Sequence, residues 1–293
     1  MRIFEQVKGL FAGANPIKWG AVFSRARAGT ASVMSPGEHR GQRGKATFSR
    51  LRQRGVLTPD AGRSRLAEEY RLIKRPLIAN AFGQGGHVAL PNGNMIMVTS
   101  SLPQEGKSFT AVNLAISLAT ELENTVLLVD ADVARPDVGS SGVMKYLGLK
   151  AGRGLIDVLI DPSIPLSEVL IKTEIDKLTV LPAGKGVPHA TELLASAAMQ
   201  AFVDDISKRY HDRIVVFDTP SLLSTSEAAV LATYMGQVVL VVEAEKTPQS
   251  AVTESLSYLR DCAYVGMVLN KAPSRAGVGV GDYFGSSDAE NGS

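Results

Sequence analysis

From about residue 94 the chain alternates short apolar runs with longer stretches of helical period. The apolar runs are MIMVT (95–99), VLLVD (126–130), LTVLPA (178–183), IVVFD (214–218), VVLVV (238–242) and VGMVLN (265–270). They are continuous rather than alternating, the pattern of strands covered on both faces. Between them lie SFTAVNLAISLATEL (108–122), TELLASAAMQAFVDDISKRY (191–210) and QSAVTESLSYLRDC (249–262), which read as helices. This strand–helix alternation predicts an α/β fold, a doubly wound and mostly parallel sheet with helices on both faces. Such sheets bind ligands at the carboxyl ends of their strands.

Before this core, SRLAEEYRLIKRPLIANAF (64–82) places Leu66, Tyr70, Ile73 and Leu77 on one helical face, and Pro76 is expected to end or kink that helix. Residues 24–65 are rich in Gly, Ser and Arg without a sustained apolar period. Three parts are therefore expected: a flexible basic N-terminal arm (1–63), a folded domain (64–272) and a mobile Gly/Ser-rich tail (273–293) containing Tyr283.

Charge sharpens this division. The 293 residues carry a net +2, yet residues 1–66 hold 13 Lys/Arg against 3 Asp/Glu. The arm reads either as a solvated linker or as a segment drawn to an anionic membrane surface or acidic partner. Nucleic acid is not expected, because no folded reading module accompanies the charge. The one cysteine, Cys262, precludes an internal disulfide, and the four histidines (His39, His87, His189, His211) are scattered, so no transition-metal site is expected. No apolar run reaches the length of a membrane span, and MRIFEQVKGLFAGANPIKWG is too broken by charge and glycine for a signal peptide. The expected location is cytoplasmic, at the inner face of the cell membrane.

The most informative stretch is SLPQEGKSFT, from Ser101 to Thr110, between a strand and a helix. It has the G-K-S core of a phosphate-binding loop, with Ser101 where the first glycine usually stands. Such a loop curls backbone N–H groups around phosphate oxygens at the positive end of the following helix. The nucleotide-binding residues are thus Ser101, Leu102, Pro103, Gln104, Glu105, Gly106, Lys107, Ser108 and Phe109. Lys107 is expected at the β- and γ-phosphates, and Ser108 at Mg²⁺.

A Mg²⁺-nucleotide also calls for carboxylates, and two strand ends supply them. VLLVDAD brings Asp130 and Asp132; VVFDTP brings Asp218. Asp218 fits the role of holding a metal-bound water, and the surplus carboxylate near the γ-phosphate can accept the proton of an attacking hydroxyl. Asp132 can alternatively cap the next turn.

Ser101–Phe109, LLVDADVARP (127–136) and VVFDTP (215–220) resemble the Walker A, A′ and B motifs of the bacterial tyrosine kinases of capsule and exopolysaccharide assembly. LPAG…ATELLAS (181–196), VVLVVEAEKTP (238–248) and EEYRLIKRPL (68–77) extend the resemblance across roughly residues 66–272, with the exosortase-associated tyrosine autokinases the nearest group. The resemblance implies a P-loop NTPase-like fold, ATP and Mg²⁺, and autophosphorylation on tyrosine in trans. It also implies a homo-oligomeric ring, activation by the cytoplasmic segment of a membrane polysaccharide chain-length (co-polymerase) protein, and a protein-tyrosine phosphatase counterpart. On this resemblance Lys107, Asp130 and Asp132 are catalytic, Ser108, Asp130 and Asp218 hold the metal, and Asn270 lies near adenine.

The pattern departs from the family in three places. Arg135 stands one residue late in the second motif, after Ala134. The oligomer motif reads Glu68-x-x-Arg71-x-x-Lys74, with lysine for arginine. The tail has a single tyrosine, Tyr283, as the expected phosphoacceptor; the other tyrosines (70, 146, 210, 234, 258, 264) fall in or against predicted elements. The reading is an ATP-dependent tyrosine autokinase regulating exopolysaccharide synthesis, chain length or export. Two alternatives stay open: a partitioning- or septum-type ATPase switch, disfavoured because no lysine precedes Lys107 in the loop, and a nucleotide-bound scaffold of the polysaccharide machinery.

Overall fold

The computed structural model describes residues 42–43, 48–62, 64–86, 88–133, 142–150, 152–209 and 212–273. Arg135 and Tyr283, together with Tyr210 and most of the basic arm, lie outside the described residues.

Among the described residues there are eight strands: β1 (Gln42–Arg43), β2 (Met95–Ser100), β3 (Thr125–Asp130), β4 (Ile171–Lys172), β5 (Leu178–Leu181), β6 (Arg213–Asp218), β7 (Gln237–Glu243) and β8 (Val265–Asn270). The α-helices are α1 (Phe48–Gln53), α2 (Arg65–Phe82), α3 (Lys107–Ala119), α4 (Gly142–Leu147), α5 (Leu155–Ile160), α6 (Leu166–Val169), α7 (Ala190–Leu194), α8 (Ala197–Arg209), α9 (Ser226–Ala232) and α10 (Gln249–Tyr258). The sheet order is β1-β4-β5-β3-β6-β2-β7-β8, parallel throughout except for the antiparallel β4–β5 pair. The expected mostly parallel α/β sheet is present.

The period of two along a strand divides the core in two. Ile96, Val98, Val126, Leu128, Ile214 and Val216 face one layer, with α2, α3 and α4. Met95, Met97, Leu127, Val129, Val215 and Phe217 face the other, with α5 and α7–α10. Helix α3 is buried along its length except at Phe109. Its polar residues Thr110, Asn113 and Ser117 are buried with the rest, so the helix has no solvent-facing stripe.

Three expectations need correction. Residues 48–62, read as part of the flexible arm, join the core: Leu51, Val56 and Leu57 are buried, and the Leu57 N–H donates to Asn113 Oδ1 of α3 at 2.7 Å. Their apolar residues are too few to register as a period, yet they cover α3. Second, α2 does not end at Pro76 but runs on to a left-handed C-cap at Gly83. Proline removes one helical hydrogen bond, but Tyr70 and Lys74 before it and Leu77 and Ile78 after it are all buried, and that packing outweighs the loss. Third, the single helix expected over 191–210 is two, α7 and α8. Ser196 accepts the Met199 N–H at 3.3 Å and begins the second.

Candidate functional site

The site is built where β2, β3 and β6 end. Asp130 and Asp218 are register partners in the parallel β3–β6 pair, and both are fully buried. Even-numbered positions of β3 and β6 face α3, so both carboxylates are directed to the layer holding the phosphate loop. Beyond β6 the chain zips along the exit of β2: Leu222 N–H donates to Ser100 O at 2.9 Å and Leu223 N–H to Ser101 O at 3.2 Å. These bonds hold Ser101 in the floor of the loop.

The loop itself is a sequence of unusual backbone angles. Gln104 has φ 68°, and Gly106, capping α3, has φ 99°. A Cβ on Gly106 would lie 2.0 Å from Asn270 Nδ2, so only glycine fits there. Lys107 and Ser108 open α3, whose free N–H groups face the anion position. Lys107 Nζ donates to Asp132 Oδ2 at 2.6 Å, both side chains being almost wholly buried. Lys107 and the carboxylates, separate in sequence, are thus brought together.

The donor chemistry fits Mg²⁺, which takes oxygen ligands. A single point, where a Cβ on Gly142 would fall, lies 2.5 Å from Ser108 Oγ and 4.0 Å from Asp218 Oδ2. Among the described residues no three carboxylate, imidazole or thiolate side chains gather to hold a metal by themselves. Mg²⁺ here would therefore share its shell with phosphate oxygens and water.

Several of the expected nucleotide-binding residues also have partners within the fold. The Leu102 N–H is turned inward, donating to Glu105 Oε2 at 2.7 Å. Pro103 has no N–H to offer. The Phe109 ring packs edge-on against Tyr146 of α4 at 5.7 Å between centroids, tying α4 over α3 rather than facing the loop. Asn270, expected near adenine, braces the loop: its Nδ2 donates to Glu105 O at 2.8 Å. The next residue, Lys271, donates to Gln104 O at 2.7 Å and pairs with Glu243 at 3.0 Å. The Lys271 hydrogen bond is the first cause holding the Glu243 carboxyl below its ordinary range. Thr247, which also reaches the loop, donates to Glu105 Oε1. Lys271, Thr247 and Gly142 were not singled out from the sequence. Thr247 and Lys271 follow strand ends, which was the available signal; Gly142 had none.

The oligomer motif is also placed differently. Arg71 pairs with Glu68 on the same helix. Lys74 is buried: its Nζ donates to Ser117 O at 2.6 Å and Thr120 Oγ1 at 3.1 Å, and meets Glu121 Oε1 at 2.7 Å. Lys74 therefore ties α2 to the C-terminal end of α3 instead of facing a neighbour. Of the tyrosines, Tyr70 is buried and its hydroxyl is pushed up by burial, whereas Tyr258, at the end of α10, is half exposed. Tyr258 thus falls in an element, as expected, yet stays half open to solvent.

The AAA domain family matches residues 95–263, which include the loop, both strand-end carboxylates and β7. The tyrosine-protein kinase YwqD of Bacillus subtilis (strain 168) is 30% identical over 220 residues, covering 74% of this chain and 86% of the relative. The tyrosine-protein kinase CpsD of Streptococcus agalactiae is 31% identical over 191 residues, covering 64% of this chain and 80% of the relative. The succinoglycan biosynthesis transport protein ExoP of Rhizobium meliloti (strain 1021) is 31% identical over 230 residues, and this chain spans only 27% of its length. Among solved structures, the chimerical protein CapA2B2 superposes with TM-score 0.62 at 27% identity, covering 80% of this chain and 95% of that one. The kinase domain of the Escherichia coli tyrosine kinase ETK superposes with TM-score 0.55 at 26% identity, covering 62% and 69%. The chain belongs to the bacterial tyrosine-protein kinases of capsule and exopolysaccharide biosynthesis.

Proposed function

We propose that this chain is a Mg·ATP-dependent protein-tyrosine autokinase that regulates exopolysaccharide or capsule synthesis. The observation carrying this reading is the buried Lys107–Asp132 pair beside the in-register carboxylates Asp130 and Asp218, at the mouth of the loop.

The chain's own groups divide the work as follows. The loop N–H groups from Gln104 onward and the N-terminal end of α3 receive the phosphates. Lys107 transfers its ammonium from Asp132 to the β- and γ-phosphate oxygens and balances their charge. Ser108, Asp130 and Asp218 would hold Mg²⁺. That ion, when bound, neutralises developing charge on the phosphates. The acceptor phenol oxygen forms a bond to the γ-phosphorus as the bond from phosphorus to the ADP oxygen breaks. The phenolic proton passes to an Asp130 carboxylate oxygen. Positioning and electrostatics supply most of the rate.

Tyr283 is the proposed acceptor, donated by a neighbouring chain of a homo-oligomer. Its flanks, GDYFG, suit entry into another subunit's site. No helix among the described residues is long and apolar enough to cross a membrane. Relatives such as ExoP extend far beyond the part this chain matches. The likeness to the succinoglycan biosynthesis transport protein ExoP supports a membrane polysaccharide chain-length protein as the partner, with the basic arm holding the kinase at the inner membrane surface.

The test is mass-spectrometric mapping of phosphotyrosine after incubation of the full chain with Mg·ATP, beside Lys107→Met, with and without the partner's cytoplasmic segment. Lysine-dependent phosphate at Tyr283 is expected. Bound ATP without phosphotyrosine in either condition would overturn the kinase assignment.

A further inference from the structure

Glu105 presents a difficulty. It puts a carboxylate in the middle of a loop that must attract phosphate, and it is 2% exposed. Among the described residues no lysine or arginine pairs with it. Its two oxygens are occupied within the fold instead. Oε2 accepts the Leu102 N–H at 2.7 Å, and Oε1 accepts the Thr247 hydroxyl.

Thr247 is itself fixed. Its hydroxyl oxygen accepts the Glu243 N–H at 3.1 Å, and its own N–H donates to Glu243 O at 3.2 Å. It thus belongs to a closed turn leaving β7, in which Glu245 has φ 61°. From the other side, Asn270 at the end of β8 donates to the Glu105 carbonyl at 2.8 Å, and the Asn270 carbonyl accepts the Ala244 N–H at 2.9 Å. The turn after β7 and the end of β8 therefore clamp one loop residue through its side chain and its backbone.

We infer that Glu105 is the positioning residue of the phosphate loop and that Thr247 is its anchor. The carboxylate draws Leu102 and Thr247 together across the base of the loop. Its charge is directed at two donors and away from the phosphate position. Gln104 is held in its left-handed conformation (φ 68°) by this bracing together with Lys271. The remaining N–H groups, from Gln104 to the first turn of α3, are thereby aimed at the ligand before it arrives. Preorganisation of this kind strengthens binding of ground and transition states alike.

This rests on the nucleotide-binding half of the proposed function, and the experiment separates it from the kinase half. Equilibrium binding of a fluorescent ATP analogue with Mg²⁺ is measured for the wild-type chain and for Thr247→Val, Thr247→Ser, Glu105→Leu and Glu105→Gln. Steady-state kcat and KM for Mg·ATP are measured alongside. Thr247→Val and Glu105→Leu are expected to weaken binding by about tenfold or more, the scale of one lost hydrogen bond to a charged group. For Thr247→Val, KM should rise while kcat stays within about threefold, the signature of uniform binding lost. Thr247→Ser should restore wild-type binding, and Glu105→Gln, which keeps one acceptor, should fall between. Should Glu105→Leu fail to fold, Thr247→Val carries the test, since valine matches threonine in shape at a half-buried position. Equal binding in wild type and Thr247→Val overturns the inference. So does loss in Thr247→Val that Thr247→Ser fails to restore. Wild-type binding without phosphotyrosine overturns only the kinase reading, and absence of wild-type binding overturns both.

Discussion

Lys107 Nζ lies 2.6 Å from Asp132 Oδ2, and the two side chains are 6% and 7% exposed. The loop lysine is thus held by a carboxylate two residues beyond the end of β3. Because the pair is dry, its charges are strongly coupled, and breaking it costs more than a surface ion pair would. Lys107→Met is expected to abolish phosphotransfer while the sheet still folds. Asp132→Asn leaves the Lys107 ammonium beside a neutral amide and is expected to cost ~3 kcal/mol of stability without nucleotide. Denaturant unfolding with and without Mg·ATP checks both, and Mg·ATP should recover more stability in Asp132→Asn than in wild type. Equal recovery would show that Lys107 does not exchange Asp132 for phosphate.

Lys74 is the second buried lysine, and its ammonium is satisfied by Ser117 O, Thr120 Oγ1 and Glu121. Lys74→Met should therefore lower unfolding free energy by about 2–3 kcal/mol, the scale of lost hydrogen bonds to a charged group. Urea unfolding measures this, with light scattering beside it. Unchanged stability with an altered oligomer mass would return Lys74 to the interface role its motif suggested.

Gly106→Ala should be poorly tolerated for two separable reasons. The φ of 99° strains any side chain, at about 1–3 kcal/mol. The new methyl also meets Asn270 Nδ2. The double variant Gly106→Ala/Asn270→Ala relieves the clash but keeps the strain. It should recover part of the melting temperature, and full recovery would mean that backbone strain contributes nothing.

Glu243 has its carboxyl held below its ordinary 4.5, first by the Lys271 hydrogen bond. The folded value is depressed, so its contribution to stability is complete above the unfolded value. It is lost as pH falls through the folded value, below the ordinary carboxylate range. The stability gap between wild type and Glu243→Gln should therefore be constant above about pH 5.5 and close towards pH 3. Denaturant midpoints across that range check it, and a gap that widens on acidification would reverse the sign.

The two-residue strands β1 and β4 were too short to register, whereas the other six of the eight described strands, the place of the loop between β2 and α3 and the acids at two strand ends were legible along the chain. Each is a local signal. A buried parallel strand needs continuous apolar residues, and a phosphate loop needs glycine and lysine at set spacing. Residues 48–62 and Pro76 were misread for the same reason. A short covering segment has no period of its own, and proline reports only the hydrogen bond it loses.

What the sequence by itself determined was the α/β layering and the placing of Gly106, Lys107, Ser108, Asp130, Asp132 and Asp218 at the carboxyl ends of strands. Only the tertiary structure decided what those residues meet. It set Asp130 opposite Asp218, gave Lys107 to Asp132, turned Lys74 inward and clamped Glu105 with Thr247 and Asn270. Those partners lie 25 to 165 positions apart. No local pattern encodes such pairings, because they arise when the parallel sheet brings the carboxyl ends of its strands to one edge.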